Sequence, residues 1–121
     1  MEKKILIVED DEMNLRLTVD LLQMAGYQTI PAHNGADGVK LALRHQPHLI
    51  IMDMQMPIMD GVEAVRRLKG DEATNTIPIM ALTAYAMPDD EKKFRAVGCD
   101  GYMSKPFDVK IFFDEIASLV E

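Results

Sequence analysis

The sequence predicts an α/β fold, an open and doubly wound sheet of five parallel strands with helices on both faces. Two observations carry that prediction. Three short apolar runs, Ile5 to Val8, Leu49 to Met52 and Ile77 to Leu82, lack polar alternation, as central strands of a parallel sheet covered on both faces do. Segments with helical spacing fill the gaps, so strands and helices alternate strictly along the chain.

The elements follow in order. Ile5 to Val8 is the first strand. Leu15, Val19 and Leu22 then share a helical face, and Gly26 suits its stop. Tyr27 to Ile30 is a weaker strand candidate, more polar and nearer an edge. Val39, Ala42 and Leu43 follow the loop residues Asn34 and Gly35 as a second helix. After Leu49 to Met52, Asp60 and Glu63 have capping-box spacing ahead of Val62, Val65 and Leu68. Pro78 lies near the start of the next run, where a strand tolerates it. Pro88 suits a first helical turn, the acids Asp89, Asp90 and Glu91 favour that end, and Gly98 suits the other. Gly101 to Ser104, also more polar and nearer an edge, is a second weaker strand candidate, and Asp108 a cap for a last helix with Phe112, Ile116 and Leu119 on one side. Ile111, Phe112 and Phe113 are consecutive and cannot all face a core, so one should lie toward solvent as packing or as a docking residue.

Residues 1–121 make one domain, with no repeat, linker or low-complexity segment. Thirteen Lys and Arg against twenty Asp and Glu give a net charge of −7, which argues against direct nucleic-acid or anionic-membrane binding. Cys99 is the sole cysteine, so no internal disulfide is possible. No apolar stretch approaches the ~20 residues that span a bilayer, and nothing resembles a signal peptide. The expected compartment is the cytoplasm.

Ligands of open α/β sheets bind beyond the carboxyl ends of the strands, where strand order reverses. Glu9, Asp10 and Asp11 follow the first strand, Asp53 ends the third, Thr83 ends the fourth, and Ser104, Lys105 and Pro106 follow the fifth. In the order 2-1-3-4-5 the first and third strands are neighbours, which sets Asp53 beside the acids. Clustered carboxylates repel unless a cation neutralises them. Oxygen ligands suit Mg²⁺, with Mn²⁺ as the alternative, and no Cys or His cluster suggests zinc. A lone Asp53 in an apolar run is otherwise hard to explain.

The strings ILIVEDDE, IIMDMQMPIMDG, ALTA and YMSKPF, in this order along the whole chain, resemble the receiver domain of two-component response regulators. The segments ALTAYAM and GCDGYMSKP are similar to those of hybrid-kinase receivers and of the DivK type of cell-division regulator. The resemblance implies a flavodoxin-like (βα)5 fold and a phosphorylation-activated switch rather than an enzyme. It makes Asp53 the phosphoacceptor, Glu9 and Asp10 metal ligands with Asp53 and the backbone carbonyl of Gln55, Lys105 the phosphate partner and Thr83 the switch hydroxyl. The resemblance allows Glu9 to act directly or through water. Tyr102 would fill the space left as Thr83 moves inward. The implied donor is a histidine kinase or histidine phosphotransfer protein. The implied downstream partner is a protein, a kinase among the options, docking on the fourth helix, fifth strand and fifth helix. The chain reads as a stand-alone regulator, with a receiver cut from a hybrid kinase or transcription factor as the alternative.

Other features have plainer readings. Asp11 suits a helix cap, Asp60-Gly61 a cap and turn, and Pro57 shapes the loop after Asp53. Gln55 and Tyr85 flank the path of an attacking water. Lys105-Pro106 is a cis candidate by resemblance. Met52, Met54, Met56 and Met59 are adaptable packing and loop residues. His33, His45 and His48 lack metal spacing and read as surface or loop residues. A haloacid-dehalogenase-type phosphatase shares the Asp, Thr and Lys chemistry but needs a second acid where Gln55 stands. A flavin carrier is weaker still, because acids follow the first strand in place of a phosphate-cradling loop.

Overall fold

A computed structural model describes residues 3–54, 61–84 and 88–120, apart from the side chain of Pro88. Its elements are β1 (Lys4–Val8), α1 (Glu12–Met24), β2 (Gln28–Ala32), α2 (Gly35–His45), β3 (Leu49–Asp53), α3 (Gly61–Lys69), β4 (Ile79–Thr83), α4 (Pro88–Val97), β5 (Gly101–Ser104) and α5 (Val109–Val120). The strands form one parallel sheet in the order β2-β1-β3-β4-β5. The doubly wound, flavodoxin-like prediction holds.

The side-chain alternation of the strands separates two cores. Leu6, Val8, Ile50, Met52, Ile79 and Ala81 face α2, α3 and α4, where they meet Ala42, Ala64, Val65, Leu68 and Phe94. Ile5, Ile7, Leu49, Ile51, Met80 and Leu82 face α1 and α5, where they meet Leu15, Leu22, Phe112 and Ile116. Phe112 is fully buried and stacks on Phe107 with ring centroids 4.4 Å apart. Truncating a buried Phe of this kind costs about 3–5 kcal/mol. Ile111 is the member of the Ile111–Phe113 trio turned to solvent, at 60% exposure.

Several boundaries shift from the sequence expectation. The second strand begins at Gln28 rather than Tyr27 and runs through Pro31 to Ala32. It is an edge strand, where a missing N–H is tolerated. The fourth begins at Ile79 rather than Ile77, after Pro78, whose carbonyl accepts the Ile50 N–H at 3.0 Å. Asp100 fixes that start by accepting the Ile79 N–H at 2.9 Å while Lys69 pairs with it at 3.1 Å. On α2, Leu43 lies outside, 41% exposed, and Leu41 packs on the core in its place.

The caps follow the sequence. Asp11 accepts the Asn14 N–H at 2.9 Å and opens α1. Asp108 accepts the N–H groups of Lys110 and Ile111 at 2.9 and 3.2 Å and opens α5. Gly98 ends α4 at φ +122°, a conformation L side chains rarely adopt. Asp60 lies outside the described residues, so its cap is not placed. His48 is not a free surface group: its Nδ1 accepts the Lys4 N–H at 3.0 Å.

Candidate functional site

Ladder hydrogen bonds continue one residue past the strands and set the site residues along one edge. The Glu9 N–H donates to the Ala32 carbonyl at 3.0 Å, Met54 to Leu82 at 3.1 Å, and Lys105 to Thr83 at 2.7 Å. The β1 and β3 register pairs Val8 with Met52, so Glu9 and Asp53 emerge side by side. Four sequence-predicted residues thereby meet from segments spread over the whole chain.

Glu9, Asp53 and Thr83 are buried, while Asp10 is exposed. One carboxylate oxygen from each of Glu9, Asp10 and Asp53 lies within 4.8 Å of the others. The Lys105 ammonium donates to Glu9 Oε1 at 2.6 Å and stands 3.9 Å from Asp53 Oδ2. The second Glu9 oxygen accepts the Asp11 N–H at 3.3 Å. Burial pushes the Glu9 carboxyl up. Hydrogen bonding with Asp53, the hydrogen bond and charge of Lys105, and the Asp11 N–H outweigh it and hold the group below its ordinary value. The cluster suits a hard cation bound through oxygen: two acids are buried and the third opens to solvent.

Thr83 continues the alternation of Ile79 and Ala81, so it faces the α4 side of the sheet. On that side Tyr102, half-buried, packs 6.2 Å from Phe94 of α4, ring centre to ring centre. Burial, then the carboxylates of Asp90 and Glu91, push the Tyr102 hydroxyl above its ordinary value. The Lys105-Pro106 bond is cis, as expected. Gln55 and Tyr85, with Met56, Pro57 and Met59, lie outside the described residues.

The site gathers three carboxylates and an ammonium group, with a buried hydroxyl one strand away. Residues 5–117 match the response regulator receiver domain. The chain belongs to this family. A receiver of this family is a signalling switch, and its acid pocket is the place for a divalent cation. The polar-differentiation response regulator DivK of Brucella anthropi is 44% identical over 118 residues, covering 98% of this chain and 96% of that protein. The structure resembles chemotaxis protein CheY4 of Vibrio cholerae with a TM-score of 0.92 at 28% identity, covering 98% of this chain and 99% of that one. It equally resembles the receiver domain of a sensor histidine kinase from Pseudomonas aeruginosa, TM-score 0.92 at 29% identity, covering 99% and 98%. That structure has a magnesium ion coordinated in its active-site cleft.

Two features of this receiver escaped the sequence. Gly61 was legible only as a turn residue, yet a Cβ there would stand 2.7 Å from the Asp53 carbonyl oxygen and 2.6 Å from the Met54 Cα. An apolar groove beside Lys105, lined by Leu17, Leu21, Phe107 and Val109, needs α1 and the loop after β5 to be brought together. Leu17 and Val109, 58% and 44% exposed, stand out only once the fold is known.

Proposed function

We propose that residues 1–121 act as one phosphorylation-activated switch in which Asp53 is the acceptor. The observation that carries this is the position of buried Asp53 among Lys105, Glu9 and Asp10. An Asp53 oxygen attacks the phosphorus of a phosphohistidine or a small acyl phosphate. The P–O bond to Asp53 forms as the bond to the leaving imidazole nitrogen or carboxylate oxygen breaks. Little covalent work falls to the protein, so positioning and charge neutralisation dominate.

Glu9, Asp10 and Asp53 would hold Mg²⁺, or Mn²⁺, together with the Gln55 carbonyl. The ion supplies neutralisation of the carboxylates and of the transferring oxygens. Lys105 supplies a further positive charge, its root fixed by the bond to the Thr83 carbonyl. After transfer, Thr83 donates its hydroxyl to a phosphoryl oxygen, and Tyr102 follows on the α4 side. The resulting change of the α4, β5 and α5 face passes the signal to a downstream protein. Water later cleaves the acyl phosphate, with Gln55 and Tyr85 tuning its lifetime. The donor is a histidine kinase or phosphotransfer protein, met at the groove beside Lys105.

Labelling with acetyl phosphate and Mg²⁺ tests the acceptor. Wild type should gain one base-labile, hydroxylamine-sensitive phosphoryl group and Asp53→Asn none. Equal labelling of the two would sink the assignment.

A further inference from the structure

Lys105 does not sit where a phosphate partner of Asp53 alone would sit. Its ammonium is 2.6 Å from Glu9 and 3.9 Å from Asp53, so the tighter pair is with Glu9. Glu9 is 3% exposed and its other oxygen already accepts the Asp11 N–H. Both of its oxygens are therefore engaged, one by a full positive charge. A buried carboxylate needs such a charge, because an uncompensated one is costly. Glu9 is also one of the three acids whose oxygens converge within 4.8 Å. The same carboxylate thus serves an internal cation and a candidate cation site.

We propose that Lys105 is the resident counter-cation of Glu9, and that a divalent cation binds the Glu9–Asp10–Asp53 cluster in competition with the Lys105–Glu9 ion pair. The inference rests on the proposed reading of that cluster as a divalent-cation site. Two like charges in a partly buried pocket repel, and each weakens the other's hold on Glu9. Cation binding frees the ammonium from Glu9. The Lys105 backbone stays anchored on Thr83 at 2.7 Å, so the released ammonium remains beside Asp53. The lysine is thereby kept for Asp53 until the pocket has acquired its second source of positive charge.

Thermal unfolding in EDTA and across a Mg²⁺ titration tests this in wild type, Lys105→Met, Lys105→Gln and Lys105→Arg. In EDTA the two neutral variants should unfold below wild type. Saturating Mg²⁺ should close most of that gap, because the ion takes over the neutralisation of Glu9. Their apparent Mg²⁺ affinity should be about tenfold tighter, equivalent to about 1.4 kcal/mol, while Lys105→Arg stays near wild type. The glutamine variant serves where the methionine variant does not fold. Unchanged or weaker affinity in the neutral variants, or equal tightening in Lys105→Arg, overturns the competition. Asp10→Asn separates the two readings. If wild type is stabilised by Mg²⁺, Asp10→Asn is not, and the neutral lysine variants bind as wild type does, only the competition fails. If no protein responds to Mg²⁺, the cation site fails and the competition with it.

Discussion

The Cα of Gly61 is pressed against the backbone that carries Asp53, so closely that a Cβ would stand 2.7 Å from the Asp53 carbonyl oxygen and 2.8 Å from the Met54 sulfur. The start of α3 is therefore seated on the end of β3. The sulfur can move aside, but the backbone atoms cannot move without moving Asp53. Gly61→Ala should lower stability by about 1–3 kcal/mol, the usual cost of an overpacked site. It should also slow acetyl phosphate labelling by at least about tenfold, since small displacements of a reacting group are expensive. Urea unfolding and labelling time courses measure both. A variant that labels at the wild-type rate would show that the contact does not position Asp53.

Thr83 gives a second expectation, because its position separates chemistry from readout. It is fully buried at the end of β4, on the sheet face where Tyr102 packs against Phe94. Thr83→Ala removes the hydroxyl and keeps the backbone carbonyl that anchors Lys105. Labelling of Asp53 should persist, slowed by no more than a few-fold. The response of Tyr102 should not: its intrinsic fluorescence or ring NMR signals should change on phosphorylation in wild type and stay nearly constant in the variant. A full Tyr102 response in phosphorylated Thr83→Ala would remove Thr83 from the switch.

The contrast between these residues shows what the sequence could reveal. Asp53 and Thr83 end or follow apolar runs, Lys105 follows a weaker and more polar strand, and the alternation of strands and helices brings all these strand ends to one edge. Their convergence was therefore legible from spacing alone. Gly61 was not, because the close approach depends on how α3 seats on the end of β3, and Asp-Gly reads equally well as an ordinary turn. The preference of Lys105 for Glu9 over Asp53 lies between partners 96 residues apart, and the difference between 2.6 and 3.9 Å has no sequence signature. Leu43 failed for a simpler reason. At helical spacing it and Leu41 flank Ala42 equally, and only the tilt of α2 on the sheet chooses between them.

The groove beside Lys105 separates two routes of phosphorylation. Leu17 on α1 and Val109 on α5 are solvent-facing apolar residues on its walls, and neither belongs to the acid cluster. Leu17→Asp and Val109→Asp should leave acetyl phosphate labelling within about twofold of wild type. Transfer from a phosphorylated histidine phosphotransfer domain that labels the wild type should fall by about tenfold or more, as loss of a central apolar contact does at interfaces. Equal loss by both routes would mean the substitutions disturb the site itself. No loss by either would move the donor surface elsewhere.

Cys99 gives a pH dependence that is independent of the site. It is 5% exposed at the junction of α4 and β5. Burial, with the Asp100 carboxylate adding and Lys69 and Arg95 opposing, pushes its thiol from 9.0 up to about 12. The folded state thus keeps a proton that the unfolded state loses near 9.0. This contribution to stability is present in full below about pH 9 and is lost as pH rises toward 12. Cys99→Ala lacks the titration, so the stability of wild type should fall relative to it across that interval and run parallel to it below pH 9. The same interval makes the thiolate roughly a thousandfold scarcer in the folded protein, and the thiolate is the reactive form. Native wild type at pH 8 should therefore react with a thiol reagent far more slowly than the urea-unfolded chain. Rapid native labelling, or curves that stay parallel to pH 11, would show that Cys99 is reached by solvent.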